Sequence, residues 1–167
     1  MNILKLELTH FGKFHLKTIT FTSGLNIVYG KNEAGKSTIH AFVRSMLFGI
    51  PDTEEGNERY SHYLPWETPH DFCGRMWIKK DDKVYRIERN FLRPQPTVRV
   101  FDDETDESLQ PAKQHLRQIL SGLTETSYLN TICIEQLKSA TDPQLAKELE
   151  DMAVNASQSK NLNIDVK

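Results

Sequence analysis

The chain has 167 residues, which is long enough for one domain with a hydrophobic core and too short for two ordinary domains. Its 21 basic and 23 acidic residues leave a net charge of −2, which excludes a general positive field that would attract nucleic acid without a local patch or a partner. The two cysteines, Cys73 and Cys133, are far apart and match no metal-binding spacing, so we expect buried thiols in a reducing compartment.

The N-terminal residues alternate between apolar and charged side chains, with Leu4, Leu6 and Leu8 on one side. This period of two predicts a half-buried strand over residues 4–8, and residues 16–21 predict a second strand that pairs with it as a hairpin. The N-terminus lacks the apolar core of a signal peptide, and no apolar run in the sequence reaches membrane-spanning length. We therefore expect a cytoplasmic, soluble protein.

The next stretch carries the most specific motif of the chain. Residues 25–29 predict a short buried strand, and residues 30–37 match G-x-x-x-x-G-K-[ST], the pattern of a phosphate-binding loop. Beyond the loop, apolar side chains recur at helical spacing and predict a helix over residues 36–48, which Gly49 and Pro51 end. The apolar stripe consists of Ile39, Phe42, Val43, Met46 and Leu47. Strand, loop and helix in this order are the context in which the motif binds phosphate.

Each position of the motif has an expected role. Gly30 and Gly35 stand where a side chain would block the turn or the approach of a phosphate. The Lys36 ammonium group would reach the β- and γ-phosphates, the Ser37 hydroxyl would complete the ligand shell of a Mg²⁺ ion, and the Thr38 hydroxyl would lie near the α-phosphate. The candidate nucleotide-binding residues of this loop are Gly30, Asn32, Glu33, Ala34, Gly35, Lys36, Ser37 and Thr38.

The rest of the chain predicts an irregular segment, three strands and several helices. Residues 51–70 lack periodicity and predict a long loop. The later elements are an antiparallel meander of strands at 72–78, 84–91 and 97–101, helices at 111–120 and 125–130, an apolar run at 131–134 and a last helix from 142. We expect one domain over residues 1–156, followed at 157–167 by a polar tail, the start of a coiled coil or a cloning junction.

Hydrolysis of a nucleotide needs an acidic residue at the end of a buried neighbouring strand, and the chain offers no clear candidate. Residues 98–104 place acidic side chains after apolar ones, but Arg99 interrupts the run, so a solvated hairpin is the favoured interpretation. Residues 71–74 match the D-x-x-G of GTPases without a buried strand before them. Residues 120–123 begin like the ABC signature L-S-G-G-Q but fit the end of a helix better. The loop is therefore expected to hold a nucleotide without the carboxylate that would cut it.

The order of these parts resembles the N-terminal lobe of ABC-type ATPase heads in the SMC, RecF and RecN group and the related double-strand-break-repair ATPases. It resembles above all the bacterial YhaN-like family of P-loop, AAA-type ATP-binding proteins. The resemblance covers about residues 1–150 and is carried by residues 29–38, 47–49, 63–66, 85–89 and 132–136. It implies an α/β P-loop NTPase fold in which an antiparallel β-meander lies beside a small parallel core.

The resemblance also implies a split ATPase site that uses ATP and Mg²⁺. A long coiled coil and a C-terminal lobe with the signature, the acidic strand and the switch histidine would lie outside this chain. Two heads would close head to head around ATP as a DNA-associated clamp in DNA repair or chromosome maintenance, with a nuclease as a further partner. Gln136 would be the Q-loop residue that joins the Mg²⁺ shell and acts with Lys36 in catalysis, and Lys13 would lie against the nucleotide.

Several alternatives stay open at the level of sequence. A small-molecule or nucleotide kinase uses the same loop with residues 52–70 as a lid, and a non-catalytic regulatory domain would bind nucleotide without turnover. The arginines from Arg86 to Arg99 form either a DNA-facing patch or, as we favour, a solvated strand face with acidic cross-strand partners. Tyr60, Tyr63 and Trp66 either stack on a base or a partner, or pin their loop as a small cluster.

Overall fold

The computed structural model describes residues 1–133. Residues 1–122 form one compact unit, and the residues from Leu123 onward belong to a second unit. The expectations for Gln136, for the helix from residue 142 and for the tail at residues 157–167 lie outside the described residues. The domain end near residue 156 stays a prediction.

Five antiparallel strands form one sheet in the order β2-β1-β3-β4-β5. The strands are β1 (Asn2–Phe11), β2 (Phe14–Thr20), β3 (Cys73–Lys80), β4 (Lys83–Asn90) and β5 (Thr97–Asp102). The predicted hairpin of β1 and β2 and the predicted meander of β3, β4 and β5 are both confirmed. That the hairpin and the meander form one continuous sheet was not predicted. β1 pairs with β3 as well as with β2, so the first strand of the chain lies between its hairpin partner and the meander.

The small parallel core expected beside the meander is absent from the described residues. Residues 25–29 form neither a strand nor a helix, and Leu25, Ile27 and Tyr29 are 87%, 80% and 95% exposed. The apolar composition of this segment predicts a buried strand. A strand also needs a neighbour that supplies main-chain hydrogen bonds and covers its side chains, and no described strand lies beside residues 25–29.

The helices are α1 (Lys36–Phe48), α2 (Glu54–Tyr63), α3 (Ala112–Ile119) and, in the second unit, α4 (Glu125–Thr131). The predictions of α1, α3 and α4 are confirmed, whereas α2 contradicts the irregular loop predicted for residues 51–70. Its start signals are local. Thr53 Oγ1 accepts a hydrogen bond from Gly56 N–H at 3.2 Å, and Glu54 and Glu55 occupy the first turn, where carboxylates stabilise the helix dipole. None of the helices within residues 1–133 combines the length and apolar character needed to cross a membrane.

The hydrophobic core lies between α1 and one face of the sheet. Alternate strand residues are fully buried there, namely Leu6, Leu8, Met76, Ile78, Ile87 and Val100. Phe42 of α1 packs edge-to-face against Phe11 of β1, with ring centroids 5.1 Å apart. A Cβ atom on Gly74 of β3 would lie 2.4 Å from the Phe42 ring and 2.8 Å from Glu7 O. The missing side chain at Gly74 therefore lets the helix approach the sheet.

Gly74→Ala tests this close approach. We expect the substitution to lower the free energy of unfolding by about 1–3 kcal/mol, because the added methyl group overlaps a ring that is itself fully buried. The measurement is urea denaturation followed by circular dichroism. Thr18→Ala, at an exposed position of β2, is the control and should change stability by less than about 0.5 kcal/mol. Equal stability of the two variants would show that the helix does not rest on Gly74.

Candidate nucleotide-binding site

The candidate phosphate loop, residues 30–37, leads into the first turn of α1. Ala34 N–H donates to Lys31 O at 3.2 Å and forms a tight turn within the loop. Gly35 adopts a φ of +100°, a left-handed conformation that glycine reaches without strain. A Cβ atom on Gly35 would lie 2.4 Å from the Phe14 ring. Conformation and contact therefore both require glycine at this position.

Lys36 folds back across the loop. Its Nζ donates hydrogen bonds to Gly30 O at 2.7 Å and to Lys31 O at 2.8 Å. A Cβ atom on Gly30 would approach Ala34 Cβ to 2.8 Å, so the first glycine also permits this closed shape. An ammonium group has three donors, and carbonyl oxygens of the described residues take two of them. The exposed Lys36 is thus held at the loop with one donor and its charge available to an anion.

The N-terminus of α1 has no capping side chain. Its cap residue is Gly35, its first turn contains no acidic residue, and the main-chain N–H groups of Lys36 and Ser37 donate to no described residue. The N-termini of α2 and α4 are capped by the hydroxyl groups of Thr53 and Thr124, whereas α3, like α1, has no side-chain cap. Unpaired N–H groups at the positive end of a helix dipole bind anions, so this end of α1 fits a phosphate group.

The β1–β2 turn lies against the loop and the first turn of α1. Lys13 Nζ donates a hydrogen bond to Glu33 O, and the Phe14 ring packs on Gly35. A Cβ atom on Gly12 would lie 2.9 Å from Thr38 Cγ2. The structure therefore brings together several of the predicted site residues from both segments: Lys13, Glu33, Gly35, Lys36 and Thr38.

For the other predicted site residues the structure shows no contact that defines a role, or does not describe the residue. Asn32, Ala34 and Ser37 are exposed in or next to the loop, and their side chains make no hydrogen bond to the described residues that would fix a role. Gln136, the predicted Mg²⁺ ligand and catalytic residue, lies outside the described residues. Nucleotide binding by the loop residues and by Lys13 stays a prediction.

Known proteins give an independent view of the same chain. Residues 1–153 match the model of a family described as an AAA domain. The chain belongs to this AAA domain family. The uncharacterized protein YhaN of Bacillus subtilis is 43% identical over 56 residues, which cover 33% of this chain and 6% of the relative. The DNA double-strand break repair Rad50 ATPase of Thermococcus kodakarensis is 26% identical over 146 residues, which cover 81% of this chain and 15% of the relative.

The chain thus spans only a small part of the length of these relatives. Together the family match and the two relatives identify this AAA domain as the N-terminal region of an SMC/RecF-type ATPase head. The resemblance stated from the sequence motifs is confirmed at this level.

Two arginines hold the opposite end of α1 in this AAA domain: the part-buried Arg89 and the buried Arg59. Arg89 of β4 donates from Nε to Met46 O at 2.7 Å and from Nη2 to Leu47 O at 3.2 Å. Arg59 of α2 donates to Gly49 O at 3.3 Å. Positive groups at a helix C-terminus satisfy the last carbonyls and stabilise the dipole. Burial lowers the pKa of Arg89 to about 10, so its guanidinium group remains charged at neutral pH. Neither role was predicted from the sequence.

The other arginines of the predicted basic stretch are matched by acidic or polar partners. Arg99 forms an ion pair with Glu88 at 2.9 Å, and Arg86 forms one with Asp106 at 2.5 Å. The hydrogen bond to Asp106 raises the pKa of Arg86. Arg93 donates to Asn57 Oδ1 at 2.6 Å. The interpretation of a solvated strand face with acidic cross-strand partners is therefore confirmed for Arg99, whereas the Arg86 side chain is only 20% exposed and pairs with acidic residues beyond β5.

The acidic run after β5 also has a structural explanation in this AAA domain. β5 is an edge strand of the antiparallel sheet, and Asp103 accepts a hydrogen bond from Trp77 Nε1 at 2.8 Å. A hydrolytic carboxylate follows a buried parallel strand instead. The solvated-hairpin interpretation of residues 98–104 is confirmed. Residues 120–123 lie at the end of α3, where Ser121 and Gly122 have positive φ, so they form a helix stop as predicted.

The three aromatic residues whose role was left open separate into two groups. Tyr63 stacks on Phe11 with ring centroids 5.3 Å apart, and Tyr60 contacts Phe72 edge-to-face, also at 5.3 Å. Both tyrosines pack as the cluster interpretation expected. Trp66 is 90% exposed and does not join this cluster.

Arg89→Met tests whether the part-buried arginine stabilises α1. We expect the free energy of unfolding to fall by about 2–3 kcal/mol, because the carbonyls of Met46 and Leu47 lose charged hydrogen-bond donors in a buried place. Arg99→Met is the matched control, since the Arg99 side chain is 62% exposed and its ion pair contributes less than about 1 kcal/mol. Both variants are compared by chemical denaturation. Similar losses in the free energy of unfolding for the two variants would show that Arg89 stabilises the fold no more than an exposed arginine does.

Proposed function

We propose that this chain binds Mg·ATP through residues 30–38 and forms one half of a composite ATPase site. The observation that carries the proposal is the uncapped N-terminus of α1, with the Lys36 ammonium group held beside unpaired main-chain N–H groups. This donor set suits a polyphosphate. Membership in the AAA domain family and in SMC/RecF-type ATPase heads supports ATP as the nucleotide.

Each loop residue has a proposed part in holding the nucleotide. Lys36 and the N–H groups at the start of α1 would bind the β- and γ-phosphates, and Asn32, Glu33 and Ala34 would line the phosphates with their main chain. The exposed Ser37 hydroxyl would ligate Mg²⁺ together with Gln136. When bound, the Mg²⁺ ion neutralises charge on the phosphate oxygens. Lys13 would add positive charge beside the loop, next to Glu33 O.

The site is proposed to be composite because the described part offers no hydrolytic carboxylate and leaves residues 25–29 uncovered. These residues precede the candidate phosphate loop directly. We propose that the remainder of the longer protein supplies a strand beside them and, with it, the missing acidic residue and signature. The small share of the relatives that this chain covers supports such a remainder.

The complete protein is proposed to act on DNA as an ATP-gated clamp. The similarity to a DNA double-strand break repair Rad50 ATPase supports a place in DNA repair or chromosome maintenance. In this proposal two heads form a homodimer with ATP at their interface, a coiled coil follows this lobe, and a nuclease is a partner. ATP would bind the closed state more tightly than the open one, so hydrolysis would release the clamp.

The position of Arg59 argues against the kinase alternative. A kinase lid places an arginine next to the phosphates, and Arg59 is the arginine within residues 52–70. Arg59 is 8% exposed and donates to Gly49 O, at the end of α1 away from the loop. A non-catalytic regulatory domain remains distinguishable by experiment, because it would bind nucleotide without turnover even in the complete protein.

Lys36→Ala tests nucleotide binding by this chain. We expect ATP affinity, measured by isothermal titration calorimetry with Mg²⁺, to fall at least about tenfold, because a charged hydrogen bond to phosphate is lost. Lys17→Ala on β2 is the control and should bind ATP like the unmodified chain. Hydrolysis by the unmodified chain alone should be very slow. Unchanged ATP affinity in Lys36→Ala would contradict the proposal, and so would fast hydrolysis by this chain alone.

Ile27→Lys tests the composite architecture. In the 167-residue chain we expect the free energy of unfolding to change by less than about 0.5 kcal/mol, because Ile27 is 80% exposed. In the full-length protein the same change should reduce ATP hydrolysis and soluble yield, because a lysine would then enter a covered strand. Leu16→Lys, at a leucine that is 68% exposed on β2, is the matched control and should be silent in both proteins. Normal hydrolysis by full-length Ile27→Lys would exclude a covered strand at this segment.

A further inference from the structure

Trp66 is a large, exposed aromatic side chain that has no packing role among the described residues. It lies three residues after the end of α2 and is 90% exposed, whereas the preceding Pro65 is buried. Tyr60 and Tyr63, which precede it in the same segment, pack on the aromatic core. An indole ring that is exposed on an anchored segment is suited to contact a ligand or a partner.

The end of α2 is tied to the candidate nucleotide-binding site. Gly12 N–H of the β1–β2 turn donates to Tyr63 O at 2.7 Å. A Cβ atom on Gly12 would lie 2.9 Å from Thr38 Cγ2 and 3.4 Å from Tyr63 Cδ1, so Gly12 brings Tyr63 and Thr38 to the same place. Three residues span at most about 11 Å, and this distance limits how far the Trp66 backbone lies from Tyr63.

The chemistry of the loop indicates which part of a nucleotide would lie there. Residues 30–37 and the α1 N-terminus offer main-chain donors and an ammonium group, which recognise phosphate and not the base. In loops of this pattern the lysine reaches the β- and γ-phosphates. We expect the α-phosphate beside the Thr38 hydroxyl, so the nucleoside would lie on the side of the first helical turn. A base leaving the loop on this side comes within reach of the segment that carries Trp66.

We propose that the indole ring of Trp66 stacks on the base of the nucleotide held by residues 30–38. The inference rests on the proposed function and adds a base-binding residue to a loop that otherwise binds phosphate. Stacking of a base on an aromatic side chain is tolerant of base identity, because every base presents a π-face. Trp66 therefore raises affinity for nucleoside triphosphates over inorganic phosphates without selecting adenine strongly.

Two ligands separate stacking from phosphate binding: ATP and inorganic tripolyphosphate, both with Mg²⁺. Trp66→Ala should weaken ATP binding by about 5- to 150-fold, which is the range expected for the loss of one base–aromatic stack. The same variant should bind tripolyphosphate like the unmodified chain. Trp66→Phe should retain most of the ATP affinity, because a phenyl ring still stacks. Trp66 is exposed, so neither substitution removes a packed side chain.

Fluorescence gives a second readout. The chain has two tryptophans, so replacing one of them isolates the emission of the one that remains. Trp77 is the other, and its indole N–H donates to Asp103 while the Lys5 ammonium group lies 3.5 Å from its ring centroid. Trp77→Phe leaves Trp66 as the sole tryptophan and should bind ATP with unchanged affinity. ATP should quench its emission, and tripolyphosphate at saturation should not.

The outcomes distinguish this inference from the proposed function. Equal ATP affinity in the unmodified chain and Trp66→Ala, or an equal loss for ATP and tripolyphosphate, would overturn stacking while leaving phosphate binding intact. Stacking is likewise rejected if ATP binds Trp77→Phe without changing the emission of Trp66. That result is expected if Trp66 instead contacts a protein partner. Failure of both ligands to bind the unmodified chain, or binding that does not depend on Lys36, would overturn the proposed function itself.

Discussion

The attachment of α1 to the sheet is the constraint on which the candidate site depends. Phe42 rests on Gly74 in the middle of the helix, the Phe14 ring packs on Gly35 at its start, and Arg89 binds the last carbonyls at its end. Each contact comes from a different strand, namely β3, β2 and β4. The helix that carries the candidate phosphate loop is therefore fixed along its length by an antiparallel sheet. A helix start held in this way would be preorganised for a ligand.

Local sequence signals predicted most of the individual elements. Helical spacing from Ile39 to Leu47 indicated α1, and alternation with polar turns indicated the meander. α2 was missed because Gly56 and the many charged residues around it outweighed the cap at Thr53. A Cβ atom on Gly56 would lie 2.0 Å from Pro51 O, so glycine is required there for packing and does not mark a loop. The pairing of β1 with β3 joins segments far apart in the chain, and no local pattern encodes such a pairing.

The part of the candidate site that follows from the spacing of the G-x-x-x-x-G-K-[ST] motif was predictable from the sequence. The positions of Gly30, Gly35 and Lys36 follow from the motif, and the contact of Lys13 with the loop agrees with the expected neighbourhood. The arginines at the other end of α1 were not predictable in the same way. Arg89 shares the inward face of β4 with Ile87, and an inward-facing arginine was a signal that its charge meets buried acceptors. The sequence alone does not show that these acceptors are the carbonyls of Met46 and Leu47.

Two exposed surfaces within residues 1–133 differ in what they could contribute to association. The open sheet face pairs its charges internally, as Arg99 does with Glu88, and such exposed pairs contribute about 0–1 kcal/mol each. Residues 25–29 instead expose Leu25, Ile27 and Tyr29, and burial of an apolar side chain of this size contributes about 1.5–3 kcal/mol. In the proposed composite head, burial of this segment would therefore contribute more to docking than the open sheet face does. The segment and Lys36 belong to one short stretch, so in this proposal completion of the fold would also complete the nucleotide site.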